Sequence, residues 1–377
     1  VRRDYLHITY EGEDSLYIPV DKLDEIQKYI AVDGKKPRLS KLGSPEWEKK
    51  KARARESIKK LATDLVKVYA SRRKEVGHSF STDTVWQEEF EEAFPYTETE
   101  DQLRAIGEIK ADMESPKVMD RLLCGDVGFG KTEVAFRALF KCVMDGLQGA
   151  MLVPTTELAQ QHLESFTQRL EHFPVRVRLL TRFVSGQKRK EILRDVKNGA
   201  VDILIGTHSV LSKELQFRNL GLLVVDEEQR FGVDHKEMLK ARYPHVDVLT
   251  LTATPIPRTL HMSLSGIRDI SLLEEGPEDR RPVQTYVMEY DEGIINEAIL
   301  REISRGGQVF YLYNDTRKLA GKAAELAERL PGARIAYAHG QMSERRLEEA
   351  VNGFARGDFD LLVCTTIIES GIDMPNV

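Results

Sequence analysis

The stretch GDVGFGKT, Gly125 to Thr132, joins a short apolar run to a segment with a helical pattern. Its spacing, G-x-x-x-x-G-K-[ST] between strand and helix, is that of a loop that cradles phosphates. Gly125, Gly128 and Gly130 let backbone N–H groups turn inward, and Asp126, Val127 and Phe129 complete the cradle. The positive end of the following helix adds to the attraction. Lys131 supplies a mobile cation for the outer phosphates, and the Thr132 hydroxyl is a candidate Mg²⁺ ligand. A second word, LGLLVVDEEQ, puts Asp226 at the end of an apolar run with Glu227 next. Asp226 suits the Mg²⁺ shell, and Glu227 suits orienting and deprotonating an attacking water, a role worth ~10²–10⁴ in rate. In isolation the same carboxylates would read as surface charge. TLTATPIPRTL supplies Thr252, Ala253, Thr254 and Pro255 after another apolar run. FPYTETEDQ sets Phe94, Thr99 and Gln102 upstream of the loop. There Gln102 could pair with both edges of adenine and Phe94 could stack on its ring. Alternatively they are a helix start capped by Thr99 and a core aromatic.

These residues need strands that end together. DRLLC, GAMLVP, VRVRLL, VDILIG, LGLLVVD and VDVLTLT are short, β-rich and nearly continuous in hydrophobicity. That is the texture of strands buried on both faces of a parallel sheet, whose carboxyl ends bind ligands. After the linker LLEEGPEDRRP the pattern restarts with VQTYVME, QVFYLY, ARIAYA and DLLVC. The expected fold is therefore α/β, with two tandem P-loop-type lobes at 77–275 and 276–377, the second incomplete. Before them, DYLHITYEGEDSLYIPV alternates as a β-hairpin, with Leu6 and Ile8 facing one way and His7 and Thr9 the other. A long basic helix is expected over 45–76, where Trp47, Ile58, Leu61, Leu65 and Val68 recur at helical spacing. It reads either as a solvated helix packed by one stripe or as a connector able to touch phosphates or move between domains.

Bulk properties agree. At ~150 residues per domain, 377 residues make two to three domains. A composition of 41% hydrophobic and 31% charged residues fits real cores. No apolar run approaches the ~20 residues of a membrane helix. The three cysteines form no CxxC pair and read as buried thiols of a reducing cytoplasm. A net charge of −6 excludes a uniformly basic nucleic-acid binder, not a locally basic groove.

In this order the four words resemble those of superfamily 2 helicases and translocases, from about Phe94 to the end. That resemblance implies RecA-like lobes that use ATP and Mg²⁺. It also implies DNA-tracking roles for PTTELAQQH (Thr155, Thr156, Gln161) and GTHSVL (Gly206, Thr207, His208) in the first lobe. Asn314, Thr365 and Thr366 are their counterparts in the second. Such contacts grip phosphates and give register without reading bases. Gln229 would link nucleotide state to lobe closure, and Thr252, Thr254 and Arg258 would couple hydrolysis to movement. GDVGFGKTEVA, DEEQRFG and TATPIPRTL are similar to a bacterial group of double-stranded DNA translocases. That group holds fork-remodelling helicases and motors that dock on stalled RNA polymerase. The N-terminal segment is similar to the end of a polymerase-interaction domain (1–44) and a relay helix (45–76). This implies RNA polymerase, through its β subunit, as a partner, with Leu6 and Ile8 on the strand that could pair edge-to-edge. The alternative is a strand that completes its own small barrel. A damage-recognition protein of excision repair would be met through regions outside this sequence. A start at Val1 and an end inside a strand–helix pattern suggest a piece of a longer polypeptide. The arginines of the last helicase motif would follow Val377, so this chain is expected to bind ATP-Mg²⁺ but to hydrolyse it poorly.

Overall fold

The computed structural model describes residues 5–9, 15–19, 75–227, 231, 242–253, 268–277, 283–365, 374 and 376–377. The chain divides into two compact units, Val1–Ser71 and Arg72–Val377. In the first, β1 (Tyr5–Thr9) and β2 (Ser15–Pro19) form an antiparallel pair in which Leu6 faces Ile18 and Ile8 faces Leu16. Because side chains alternate along a strand, these four share one face and His7 and Tyr17 share the other. The His7 and Tyr17 rings stack at 4.8 Å. The helix expected over 45–76 lies outside the described residues, apart from Glu75 and Val76.

The second unit is built on a seven-stranded, wholly parallel sheet in the order β5-β6-β4-β7-β8-β3-β9. Its strands are β3 (Asp120–Gly125), β4 (Gln148–Leu152), β5 (Val177–Leu180), β6 (Ile203–Gly206), β7 (Leu220–Val225), β8 (Asp247–Thr252) and β9 (Asp269–Leu273). The six apolar runs expected as strands all appear, and β9 adds DISLL. Every residue of β4, β6 and β8 is buried. Alternation divides β4, β6 and β7 between two cores: Met151, Ile203, Ile205, Leu222 and Val224 enter one, and Ala150, Leu152, Leu204, Leu223 and Val225 the other. A sheet buried on both faces needs this unbroken hydrophobicity.

Helices α1 (Val85–Glu92), α2 (Glu100–Glu114), α3 (Lys131–Met144) and α4 (Thr156–Arg169) feed the first core with Phe90, Ile109, Phe140 and Phe166. Each such fully buried side chain stabilises the fold by about 1.5–3 kcal/mol. The phenyl rings interlock: Phe90 stacks on Phe140 at 4.3 Å and Phe136 on Phe166 at 4.1 Å. Helix α5 (Gly186–Asn198) contributes Ile192 and Val196 to the second core.

Residues 283–365 carry a three-stranded parallel sheet, β10 (Val309–Leu312), β12 (Leu361–Cys364) and β11 (Ile335–Ala338), in that order. Helices α6 (Glu292–Ser304), α7 (Leu319–Arg329) and α8 (Glu344–Ala355) accompany it. VQTYVME is not a strand: among the described residues it pairs with no neighbour, and Val283, Tyr286 and Val287 are exposed. Alternation supplied the strand pattern there, but a strand forms only where another offers hydrogen bonds. All three cysteines are buried, and among the described residues no helix is long and apolar enough to cross a membrane.

Candidate nucleotide and nucleic-acid site

The phosphate loop leaves β3 and enters α3. Gly128 and Gly130 have positive φ, 81° and 79°. Gly130 has a second constraint, since a Cβ there would lie 2.4 Å from Nε2 of Gln102. Lys131 folds back over the loop, and its Nζ donates to the Gly125 carbonyl at 2.7 Å and the Asp126 carbonyl at 2.8 Å. Burial pushes the Lys131 ammonium below its ordinary range, while the carboxylates of Asp226, Glu227 and Asp126 pull it back. Lysine and acidic pair thus share one electrostatic neighbourhood. Thr132 is half-buried in the first turn of α3.

Asp226 and Glu227 follow β7 directly, 7% and 5% exposed. Asp226 donates its N–H to the Leu152 carbonyl at 2.8 Å, which anchors the loop to β4. Its Oδ1 accepts the Glu227 N–H at 2.9 Å, and its Oδ2 lies 3.2 Å from Nε2 of His162. Glu227 has φ 49°, the one positive value on a non-glycine among the described residues. A glutamate costs about 1–2 kcal/mol there, and that turn aims its carboxylate differently from a straight continuation of β7. The Thr132 hydroxyl and the Asp226 carboxylate are hard oxygen donors, the type that suits Mg²⁺.

The upstream word forms a complete capping box on α2. The Gln102 N–H donates to Oγ1 of Thr99 at 3.3 Å, and the Thr99 N–H donates to Oε1 of Gln102 at 3.1 Å. Nε2 of Gln102 then donates to the Phe129 carbonyl at 2.9 Å. Both ends of this buried amide therefore bind protein, and it braces the phosphate loop. Phe94 is half-buried, with the guanidinium groups of Arg137 and Arg169 each 5.4 Å from its ring centroid and Tyr96 at 5.5 Å. Arg137 donates to Glu133 at 2.9 Å and Glu98 at 2.6 Å, which fastens the aromatic segment to α3.

The remaining first-lobe candidates stand on the same edge of the sheet. Thr155 caps α4 by accepting the Leu158 N–H at 3.2 Å, and Thr156 and Gln161 are half-buried. Gly206 ends β6, where a Cβ would sit 2.2 Å from the Leu180 carbonyl oxygen, so packing alone requires glycine. Thr207 is buried and His208 exposed, its ring 5.2 Å from Phe231. Thr252 closes β8 opposite Cys124 of β3. The loop after β3, Thr252 after β8 and the acidic pair after β7 hence occupy three adjacent strand ends, with the words after β4 and β6 beside them. In residues 283–365, exposed Asn314 follows β10 and buried Thr365 follows the adjacent β12.

Residues 99–263 match the DEAD/DEAH box helicase family, 293–377 the helicase conserved C-terminal domain, and 1–30 the CarD-like/TRCF RID domain. The chain is 55% identical over all 377 residues to a transcription-repair-coupling factor of Bacillus subtilis (strain 168), and 54% identical over 376 residues to one of Staphylococcus haemolyticus (strain JCSC1435). The chain belongs to the transcription-repair-coupling factor family. It spans 32% of the length of those relatives. In fold it is similar to RecG bound to a three-way DNA junction, with TM-score 0.71 and 34% identity over 83% of this chain and 42% of that one. It also shares the fold of the Mycobacterium smegmatis helicase Lhr bound to ssDNA and AMP-PNP, with TM-score 0.55 and 18% identity over 79% and 43%. The first of these sheets is the RecA-like lobe expected of a transcription-repair-coupling factor.

Gln229, Thr254, Arg258 and Thr366 lie outside the described residues. Sequence reasoning missed three side chains. Nothing in the spacing of Arg137 and Arg169 marks them as supports for Phe94. His162 closes the quoted word PTTELAQQH, yet only the fold brings it to Asp226, 64 residues away.

Proposed function

We propose that this chain is the ATP-driven core of a motor that travels along double-stranded DNA. In its whole protein, that motor displaces stalled RNA polymerase and couples transcription to nucleotide excision repair. One observation carries the reading: Lys131, Thr252, Asp226 and Glu227 stand on three adjacent strand ends, with the strand-tracking words on the next ones. ATP binds with its phosphates in the loop 125–132, Lys131 leaving the Gly125 and Asp126 carbonyls to meet them. Thr132 and Asp226 hold Mg²⁺, which screens phosphate charge when bound. Glu227 takes the proton of the attacking water, and Gln229 relays nucleotide state to lobe closure. Phe94, Thr99 and Gln102 order the adenine side; Gln102 reaches the base once it releases the Phe129 carbonyl. Thr155, Thr156, Gln161, Gly206, Thr207 and His208, with Asn314, Thr365 and Thr366, grip the duplex backbone. Thr252, Thr254 and Arg258 couple the two events. The RID match over residues 1–30 supports polymerase docking by this segment, and Leu6 and Ile8 are its proposed contacts.

Glu227→Gln is expected to keep ATP binding and to abolish polymerase displacement by the whole protein, since general-base loss costs ~10²–10⁴ in rate. Normal displacement by that variant removes Glu227 from the role. The proposed slow hydrolysis by the 377-residue chain alone is checked by an ATPase assay with duplex DNA, in which DNA-stimulated turnover would overturn it. The similarity to RecG favours a second reading, remodelling of forks or junctions. Activity on a synthetic junction with none on a stalled elongation complex would select it. In a third reading, a non-motor polymerase adaptor, Glu227→Gln would leave every activity unchanged.

A further inference from the structure

The contact between His162 and Asp226 joins two sequence words that have separate roles in the proposed mechanism. His162 sits in the middle of α4, 4% exposed, in a core of phenyl rings. A polar ring buried there costs stability unless it is hydrogen-bonded. Its Nε2 lies 3.2 Å from Oδ2 of Asp226, itself only 7% exposed. An ionised carboxylate can only accept, so the ring carries its proton on Nε2. The ring is held edge-on by Phe136 at 6.0 Å, and Phe136 is stacked on Phe166 of α4 at 4.1 Å. The other carboxylate oxygen accepts the Glu227 N–H at 2.9 Å. Two donors, one on each oxygen, therefore fix the plane of the carboxylate and leave the remaining lone pairs for a cation. They also tie its orientation to the turn that carries Glu227. A phenylalanine or leucine would fill the same space; only a donor orients Asp226.

From this geometry we propose that His162 is a positioning residue that sets the Asp226 carboxylate for the nucleotide-bound divalent cation. The proposal rests on the nucleotide-site reading above. Donors behind metal-ligating groups typically change metal affinity or activity ~10–100-fold when removed. The test is Mn²⁺ binding by the 377-residue chain with a non-hydrolysable ATP analogue, followed by electron paramagnetic resonance. His162→Leu is expected to weaken Mn²⁺ binding about 10-fold or more. Metal-free binding of the analogue is expected to stay unchanged, and His162→Gln, which restores an N–H donor, to recover most of the loss. Should the leucine variant not fold, His162→Asn, whose shorter amide stops short of Asp226, takes its place. Mn²⁺ affinity equal to the unsubstituted chain in the leucine or asparagine variant overturns the proposal. So does a glutamine variant as weak as the leucine one. If the unsubstituted chain holds no Mn²⁺ with the analogue, the nucleotide-site reading fails and the inference falls with it.

Discussion

Gly130 concentrates two constraints at one residue. Its left-handed backbone would cost any L-residue about 1–2 kcal/mol. Independently, a Cβ would collide with the Gln102 amide that braces the Phe129 carbonyl. Gly130→Ala is expected to lower the denaturation midpoint and weaken ATP binding at least about 10-fold, because the loop must deform to admit the methyl group. In a Gln102→Ala background the same substitution should cost less stability, since only the backbone strain remains. A double-mutant cycle measures the difference, and strict additivity would show that the amide does not brace the loop. Lys131 belongs to this scale too. Its contacts with two loop carbonyls keep the cation inside the cradle, and phosphate oxygens are better partners for it than either carbonyl.

Between elements, α2 acts as a clamp on the last strand of the first sheet. Oδ2 of Asp101 accepts the N–H groups of Glu274 at 2.7 Å and Glu275 at 3.0 Å, just beyond β9. Arg104, one turn on, pairs with Asp101 at 2.6 Å and donates to the Leu272 carbonyl at 2.9 Å. Burial alone would raise the Asp101 carboxyl, but the two N–H groups and Arg104 outweigh it and hold it below its usual range. A carboxyl depressed on folding stabilises the native state above about pH 4 and stops doing so as pH falls through the lower folded value. Asp101→Asn should therefore lower the thermal midpoint at pH 7, by an amount reflecting about 1.5–3 kcal/mol for charge-assisted hydrogen bonds. The gap between variant and parent should narrow toward pH 3. Calorimetry at both pH values tests it; an equal gap at each would mean that the charge contributes nothing.

Across the whole molecule, the proposed docking strands and the proposed nucleotide site lie in different units. The β1–β2 pair exposes Leu6 at 40% and Leu16 at 39% on the face they share with Ile8 and Ile18. An apolar strand pair open to solvent is a ready surface for a further strand. Leu6→Asp combined with Ile8→Asp is expected to abolish capture of RNA polymerase while ATP binding stays unchanged. Capture at the parent level would move polymerase docking away from these residues. The second unit places its chemistry by strand order, so a substitution in β7 or β8 reaches the site by shifting a strand end.

Much of this protein is legible in its sequence. The phosphate loop, the acidic pair and six strands of the first sheet were set by local spacing, because a short apolar run followed by Gly-x-x-x-x-Gly-Lys-Thr leaves the chain few conformations. The hairpin and its two faces followed from alternation of the same kind. VQTYVME was misread because alternation does not reveal whether a partner strand is present. Gln102 shows the limit on side chains: its type suits adenine, but only the fold shows its amide hydrogen-bonded to Thr99 and to the Phe129 carbonyl of the loop. The strand order that brings β3, β8 and β7 side by side, the turn that rotates Glu227, and the approach of His162 to Asp226 depend on residues tens of positions apart. Contacts of that range are decided by how the sheet packs between its two cores, and no local pattern in the chain encodes them.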